Sequence, residues 1–228
     1  MQKIKYCLPI IVDTFDEVRA ELNLQKDSYD YFEVWLDYLS DYNRETLSEL
    51  CKEFGPRLIL LFRRQRLEPI LMPLEERLEV MKIAAAAGAF VDLDIRVQAG
   101  ELDTLQDMTT KLNVILSYHN YNETPNDEFL QLILQKMRSY APTIYKFSCY
   151  CLNRGDALRL LKLQRELDIG GYHSIVFGMG PKGLVTRVFA PLWGAEMVFA
   201  PLTCGKASAE GQLTKGDLET VFGIICNY

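Results

Sequence analysis

Eight times along its 228 residues the chain alternates a short apolar, β-rich run with a longer stretch of helical period. The apolar runs fall at 4–12, 31–37, 58–63, 90–95, 113–119, 144–149, 174–179 and 196–202. They are rich in Val, Ile, Leu and Phe, as strands buried on both faces must be. Stretches of helical period lie between them, at 15–24, 44–54, 74–87, 101–112, 127–139, 154–167, 183–192 and 215–225. Several carry helix-start chemistry: Thr14 with Glu17 three residues on, Asn43 ahead of Arg44, and Pro125 ahead of Asp127. Each strand–helix pair takes about 28 residues, close to the ~30 of a βαβ unit. An open doubly wound sheet shares this alternation but opens on a glycine-rich turn, and the first turn here is Val12-Asp13-Thr14-Phe15. The pattern therefore predicts one (β/α)8 TIM barrel, a single domain over residues 1–228.

Composition narrows the partners. A net charge of −6 argues against nucleic acid or an anionic membrane surface. No apolar run reaches the ~18 residues of a membrane span. Asp13, Asp16 and Glu17 interrupt the first apolar run, unlike a signal peptide, so a cytoplasmic location is expected. A small anionic substrate stays compatible with an acidic surface, and a homodimer is left open. Of the six cysteines, Cys149 and Cys151 form a Cys-x-Cys without the further ligands a zinc site needs. Buried free thiols are expected.

A barrel makes a sharp demand: catalytic groups belong at the C-terminal ends of the strands. The apolar runs carry ionisable residues there, each costly unless paired or functional. Glu33 and Asp37 lie in the second run, Arg63 ends the third and Asp94 lies near the end of the fourth. His119 ends the fifth and Lys146 lies in the sixth. A lysine such as Lys146 could reach water from an edge strand, but a barrel has no edges. His119 could be a hydrogen-bonded core histidine, and His173, in a turn at the opposite end, reads as structural. Glu33 could pair with Arg63, and Asp37 and Asp94 read as structural or supporting groups.

The motifs resemble type I 3-dehydroquinate dehydratase, the Schiff-base class, along nearly the whole chain. Phe32-Glu33-Val34-Trp35-Leu36-Asp37 is similar to the family's Glu-Trp-Arg-x-Asp strand, and Leu61-Phe62-Arg63 to its Thr-Phe-Arg. Val91-Asp92-Leu93-Asp94 resembles its Asp-x-Glu strand. Ser117-Tyr118-His119, followed by Thr124-Pro125, matches its Ser-Tyr-His segment, and Tyr145-Lys146 its Val-Lys. Gly178-Met179-Gly180 with Gly183-Leu184-Val185-Thr186-Arg187 follows its Met-Gly and Gly-x-x-Ser-Arg block. Ser208-Ala209-Glu210-Gly211-Gln212 is similar to its Ser-Ala-Pro-Gly-Gln loop. There are two departures. Trp35 stands in the place of the arginine of the family's Glu-Trp-Arg, an aromatic wall for a guanidinium, and Leu67-Glu68-Pro69 replaces its Glu-Gly-Gly.

The resemblance implies a lyase of the shikimate pathway, in aromatic amino-acid biosynthesis, converting 3-dehydroquinate to 3-dehydroshikimate without metal or organic cofactor. It makes Lys146 the imine-forming lysine and His119 the general acid/base. It puts Arg187, Ser208 and Gln212 at the substrate carboxylate, with Glu33 and Arg63 near its hydroxyls. Burial and the nearby Arg63 are expected to lower the Lys146 pKa and leave a neutral amine. Two alternatives stand beside this reading. One is a class I aldolase acting on another keto-acid or sugar phosphate, with the Gly178–Gly183 segment cradling a phosphate. The other is a barrel that binds a related ligand without turnover.

Overall fold

All eight apolar runs form strands that are parallel to their neighbours, so every connection must cross back along the outside. A computed structural model describes residues 3–105, 108 and 111–226. The strands are β1 (Tyr6–Ile10), β2 (Tyr31–Trp35), β3 (Leu58–Leu61), β4 (Phe90–Asp94), β5 (Asn113–Asn120), β6 (Ile144–Tyr150), β7 (Ser174–Met179) and β8 (Val198–Phe199). The helices are α1 (Phe15–Gln25), α2 (Arg44–Phe54), α3 (Leu74–Ala87), α4 (Ala99–Thr104), α5 (Asp127–Arg138), α6 (Arg154–Ile169), α7 (Leu184–Leu192) and α8 (Lys215–Cys226).

The strand order is β7-β6-β5-β4-β3-β2-β1-β8, and a bridge between Ser174 and Ala195 draws β8 toward β7, nearly closing the barrel. β8 is much shorter than the apolar run that announced it. Its ladder to β1 ends at the pair Cys7 and Phe199, because the next donor would be Pro9, which has no N–H.

The helix starts follow the sequence chemistry. Thr14 and Glu17 form a reciprocal capping box, and Asn43 accepts from the Thr46 N–H. At α5 the cap is Asn126, which accepts from Phe129 N–H, so Pro125 precedes the cap instead of opening the helix. The helix expected over 101–112 is observed as α4; residues 106, 107, 109 and 110 lie outside the described set. Asp37 is not in a strand. It lies in a 3-10 turn and accepts the Leu71 and Met72 N–H groups, a structural role that closes the following loop.

The core lies mainly between the strands and the helix ring, where Val18, Leu22, Leu47, Leu50, Val80 and Leu160 are each at most 1% exposed. Among the described residues, no helix is long and apolar enough to cross a membrane. Cys7, Cys51, Cys149 and Cys151 are buried free thiols, whereas Cys204 is exposed in the loop after β8.

Candidate active site

Alternate residues of a barrel strand face the axis, and this periodicity assembles the site. β2 turns Glu33 and Trp35 inward, β5 Ser117 and His119, and β6 Lys146 and Ser148; all but Ser117 line one narrow interior cavity. β4 brings Asp92 and Asp94 into the same interior network. Lys146 is in register with Ser117, and His119 with Ser148. His119 therefore sits one inward layer, about 6.6 Å, closer to the C-terminal mouth than Lys146.

Lys146 lies between two acids. Its Nζ is 2.7 Å from Asp92 Oδ2 and 3.2 Å from Glu33 Oε1, and 4.3 Å from the centre of the Phe199 ring. Asp92 is shared: its Oδ1 also accepts from Arg63 Nη1 and from Ser117 Oγ, both at 2.6 Å. The expectation of a lowered lysine pKa is overturned. Burial pushes Lys146 down and Arg63 adds to that, but Asp92 and Glu33 outweigh them, so the net shift is upward and the resting side chain is an ammonium. Desolvation opposes ionisation of Asp92 as well, yet Arg63 and Lys146 hold it far below the usual carboxylate range.

His119 is held from both ring edges. Nδ1 is 2.8 Å from Asp94 Oδ2, whose carboxylate also accepts the His119 and Arg96 N–H groups. Nε2 faces Arg63 Nη2 at 3.3 Å, and a guanidinium can only donate. These partners assign the proton to Nδ1 and leave an Nε2 lone pair. Burial, and then Arg63, lower the His119 pKa, with Asp94 in partial opposition, so the ring is neutral near pH 7. Tyr121 stacks on the ring at 6.0 Å with a 17° interplanar angle.

Across the cavity lies a cation without an acid. Arg187 is 2% exposed, its Nε has no partner, and no carboxylate pairs with it among the described residues. Burial depresses it to about 10. Its position follows from a tight contact: a Cβ on Gly178 would meet Gly183 Cα at 2.7 Å, so both must be glycine for α7 to start against β7. Thr186 Oγ1 locks the junction, donating to Gly183 O and accepting from Gly178 N–H. Gly178 and Gly183 thus serve the packing of α7 against β7. Beside Arg187, Gln212 Nε2 donates to Ser208 Oγ and Gln212 Oε1 accepts from the Ser208 N–H, both at 2.9 Å. The Ser208 hydroxyl, an acceptor in this pair, keeps its own proton for donation.

Glu33, Arg63, His119, Lys146, Arg187, Ser208 and Gln212 line one cavity. Two of them differ in detail. Arg63 lies just beyond β3, bound to Asp92 and His119, and Glu33 contacts Lys146 instead of pairing with Arg63. Glu68 is displaced to the outer mouth, where it neighbours Arg64. The turn that brings it there keeps left-handed geometry at Arg66 and Leu67 without any glycine. The residue overlooked in the sequence is Asp92, the hub between Lys146 and Arg63. Its separation of two from Asp94 is the signal that marks it as inward-facing. Tyr121 is also unannounced, since it follows the strand. His173, outside the cavity, pairs with Glu196 at 2.9 Å.

A family model described as type I 3-dehydroquinase matches residues 6–227. A 3-dehydroquinate dehydratase of Dehalococcoides mccartyi is 30% identical over 206 residues, covering 90% of each chain. Among solved structures, the 3-dehydroquinate dehydratase of Geobacillus kaustophilus superimposes with a TM-score of 0.83 at 22% identity, over 100% of this chain and 93% of that one. A type I enzyme of Clostridium difficile, with covalently modified comenic acid, gives 0.82 at 21% identity, over 100% and 94%.

Proposed function

The chain belongs to the type I 3-dehydroquinase family, and on that premise we propose that Lys146 is the amine through which it dehydrates 3-dehydroquinate to 3-dehydroshikimate. The observation that carries this reading is the gathering in one cavity of a buried lysine, Lys146, a histidine held by Asp94, His119, and a guanidinium, Arg187, that has no carboxylate partner among the described residues. The substrate of this shikimate-pathway lyase is a carboxylated hydroxy-ketone. Its carboxylate pairs with Arg187 and takes the Ser208 hydroxyl and Gln212 amide, which also supplies the buried guanidinium with its missing anion. Its ketone then meets Lys146 and forms the protonated imine, an electron sink that acidifies the adjacent carbon.

His119 Nε2 takes a proton from that carbon, and Asp94 stabilises the imidazolium that results. The same proton is delivered to the hydroxyl on the next carbon, which leaves as water, and hydrolysis of the conjugated imine frees Lys146. Glu33, Trp35 and Arg63 line the hydroxyl-bearing side.

Borohydride in the presence of dehydroquinate is the test. A reduced adduct mapped to Lys146 supports the assignment, and a label on another lysine, or none, refutes it.

A further inference from the structure

The substrate ring keeps a pair of hydroxyls through the dehydration, and a buried hydroxyl needs a donor as well as an acceptor. Glu33 offers acceptor oxygens on that side of the cavity, but the donors there are already committed. Trp35 gives its N–H to Glu33 Oε2. Arg63 gives Nη1 to Asp92 and turns Nη2 to His119, and its Nε, though without a partner, is shut away from the cavity surface. Lys146 is held by Asp92 and Glu33 and is taken up by the imine. The phenol of Tyr121 is the donor left over. Tyr121 follows His119 by two residues just beyond β5, so it keeps the inward parity of that strand, and it lines both the narrow inner cavity and the wider mouth above it.

We propose that the Tyr121 hydroxyl donates a hydrogen bond to one of the ring hydroxyls that the substrate keeps, and so supplies the donor that Trp35 does not. The inference rests on the Schiff-base reading above. It makes Tyr121 a residue of substrate recognition and leaves imine formation and proton transfer to Lys146 and His119.

The surroundings suit a fixed donor. The Tyr121 ring lies within 17° of the His119 plane at a centroid distance of 6.0 Å, so the hydroxyl is carried on a plate that cannot tilt freely. The Arg66 backbone N–H faces the phenol oxygen, and the nearby charges are those of Arg63, Lys146 and Asp94. Those neighbours put the phenol on the Arg63 side of the cavity, opposite Arg187. The hydroxyl that leaves shares its carbon with the carboxylate and so lies toward Arg187, whereas the retained hydroxyls lie toward Tyr121. Among the described residues nothing accepts from the Tyr121 O–H, so its proton is free for a ligand.

The test is Tyr121→Phe, which deletes the hydroxyl and keeps the stacked ring. Calorimetry measures the affinity of the unmodified protein and the variant for two ligands. One is 3-dehydroshikimate, which has the ketone, the carboxylate and both retained hydroxyls. The other is 3-oxocyclohexane-1-carboxylate, which has the ketone and the carboxylate and no hydroxyl. Tyr121→Phe should bind 3-dehydroshikimate about 2–10-fold more weakly, the worth of one neutral hydrogen bond, and 3-oxocyclohexane-1-carboxylate as well as the unmodified protein does. KM for dehydroquinate should rise by the same factor while kcat stays nearly unchanged. An equal loss on both ligands overturns the proposal, because the hydroxyl would then act through the shape of the cavity or the Arg66 turn. No loss on 3-dehydroshikimate overturns it as well, and so does a variant that fails to fold, since the hydroxyl would then serve the barrel. The Schiff-base reading is judged separately: an unmodified protein that gives no borohydride adduct on Lys146 refutes that reading, while the difference between the two ligands still decides the Tyr121 contact.

Discussion

Asp94 Oδ2 lies 2.8 Å from His119 Nδ1 and 3.1 Å from the His119 backbone N–H, so one carboxylate oxygen fixes both the ring and the strand that carries it. Two bonds to one residue leave the imidazole no free rotation about χ2, and its Nε2 is aimed at the cavity. The support comes from β4, whereas Glu68, on the loop after β3, sits exposed at the mouth.

Asp94→Asn is therefore expected to lower turnover by about 10²-fold or more while imine formation persists, because it removes the charge that stabilises the imidazolium. The pH dependence has a definite sign. The folded His119 pKa is already below the usual value, and Asp94 is what opposes that fall, so the variant lowers it further. The acid limb of kcat/KM should start below the ordinary histidine range in the unmodified protein and move to still lower pH in Asp94→Asn. An acid limb moving upward would show that Asp94 does not act on His119 in this way.

Arg187→Met should separate binding from stability. Losing the partner of a buried carboxylate costs about 2–5 kcal/mol, or tens- to thousands-fold in affinity. The free protein should change the other way, since replacing a buried, acid-free cation with an apolar chain of similar length commonly gives about 1–3 kcal/mol. Thermal unfolding with and without quinate reads both effects. A variant that loses stability and keeps its affinity would show that the guanidinium serves the fold.

Asp92→Asn should destabilise the barrel by about 3–5 kcal/mol, because Lys146 and Arg63 lose their shared counter-charge inside it. The pH window follows from the depressed Asp92 pKa. Its contribution is present above the unfolded aspartate value near ~4 and is lost as pH falls through the lower folded value. Urea unfolding of the unmodified protein should thus weaken between about pH 4 and the acid limit, and that part of the slope should vanish in Asp92→Asn. An unchanged acid slope would mean that the network is already open in solution.

The barrel was legible because it rests on apolar runs and helix-start signals, which are local in sequence. Pairing length was not: β8 is cut short by Pro9 in a strand nearly two hundred residues away. The same division holds in the site. Lys146, His119 and Arg187 stand out as ionisable residues in an apolar setting or within motifs. The charge state of Lys146 depends on which acids two other strands, β2 and β4, bring to it, and the expectation failed because it counted Arg63 without Asp92. Asp92 itself was hidden by Asp94, the more obvious strand end.

Trp35 is the residue through which the recognition of substrate hydroxyls can be altered. It shares the inward face of β2 with Glu33, as their separation of two implies, and it spends its one N–H on Glu33 Oε2. Its ring meets Tyr38 edge-on at 6.0 Å, and Arg64 covers Tyr38 from 4.1 Å, so the indole is held as a fixed wall. A wall without a spare donor cannot bond the substrate. Trp35→Arg adds donors, each worth about 0.5–1.5 kcal/mol, and should lower KM by up to about tenfold. The same guanidinium would take the place of the indole N–H as the partner of Glu33. Trp35→Phe keeps the wall and deletes the N–H, leaving a buried Glu33 oxygen without its donor. It should leave KM nearly unchanged, because the apolar wall stays in place. Steady-state kinetics on the two variants measures both effects. If Trp35→Arg leaves KM where it was, the side chain at position 35 does not reach the substrate, and hydroxyl recognition must lie with other residues of the cavity.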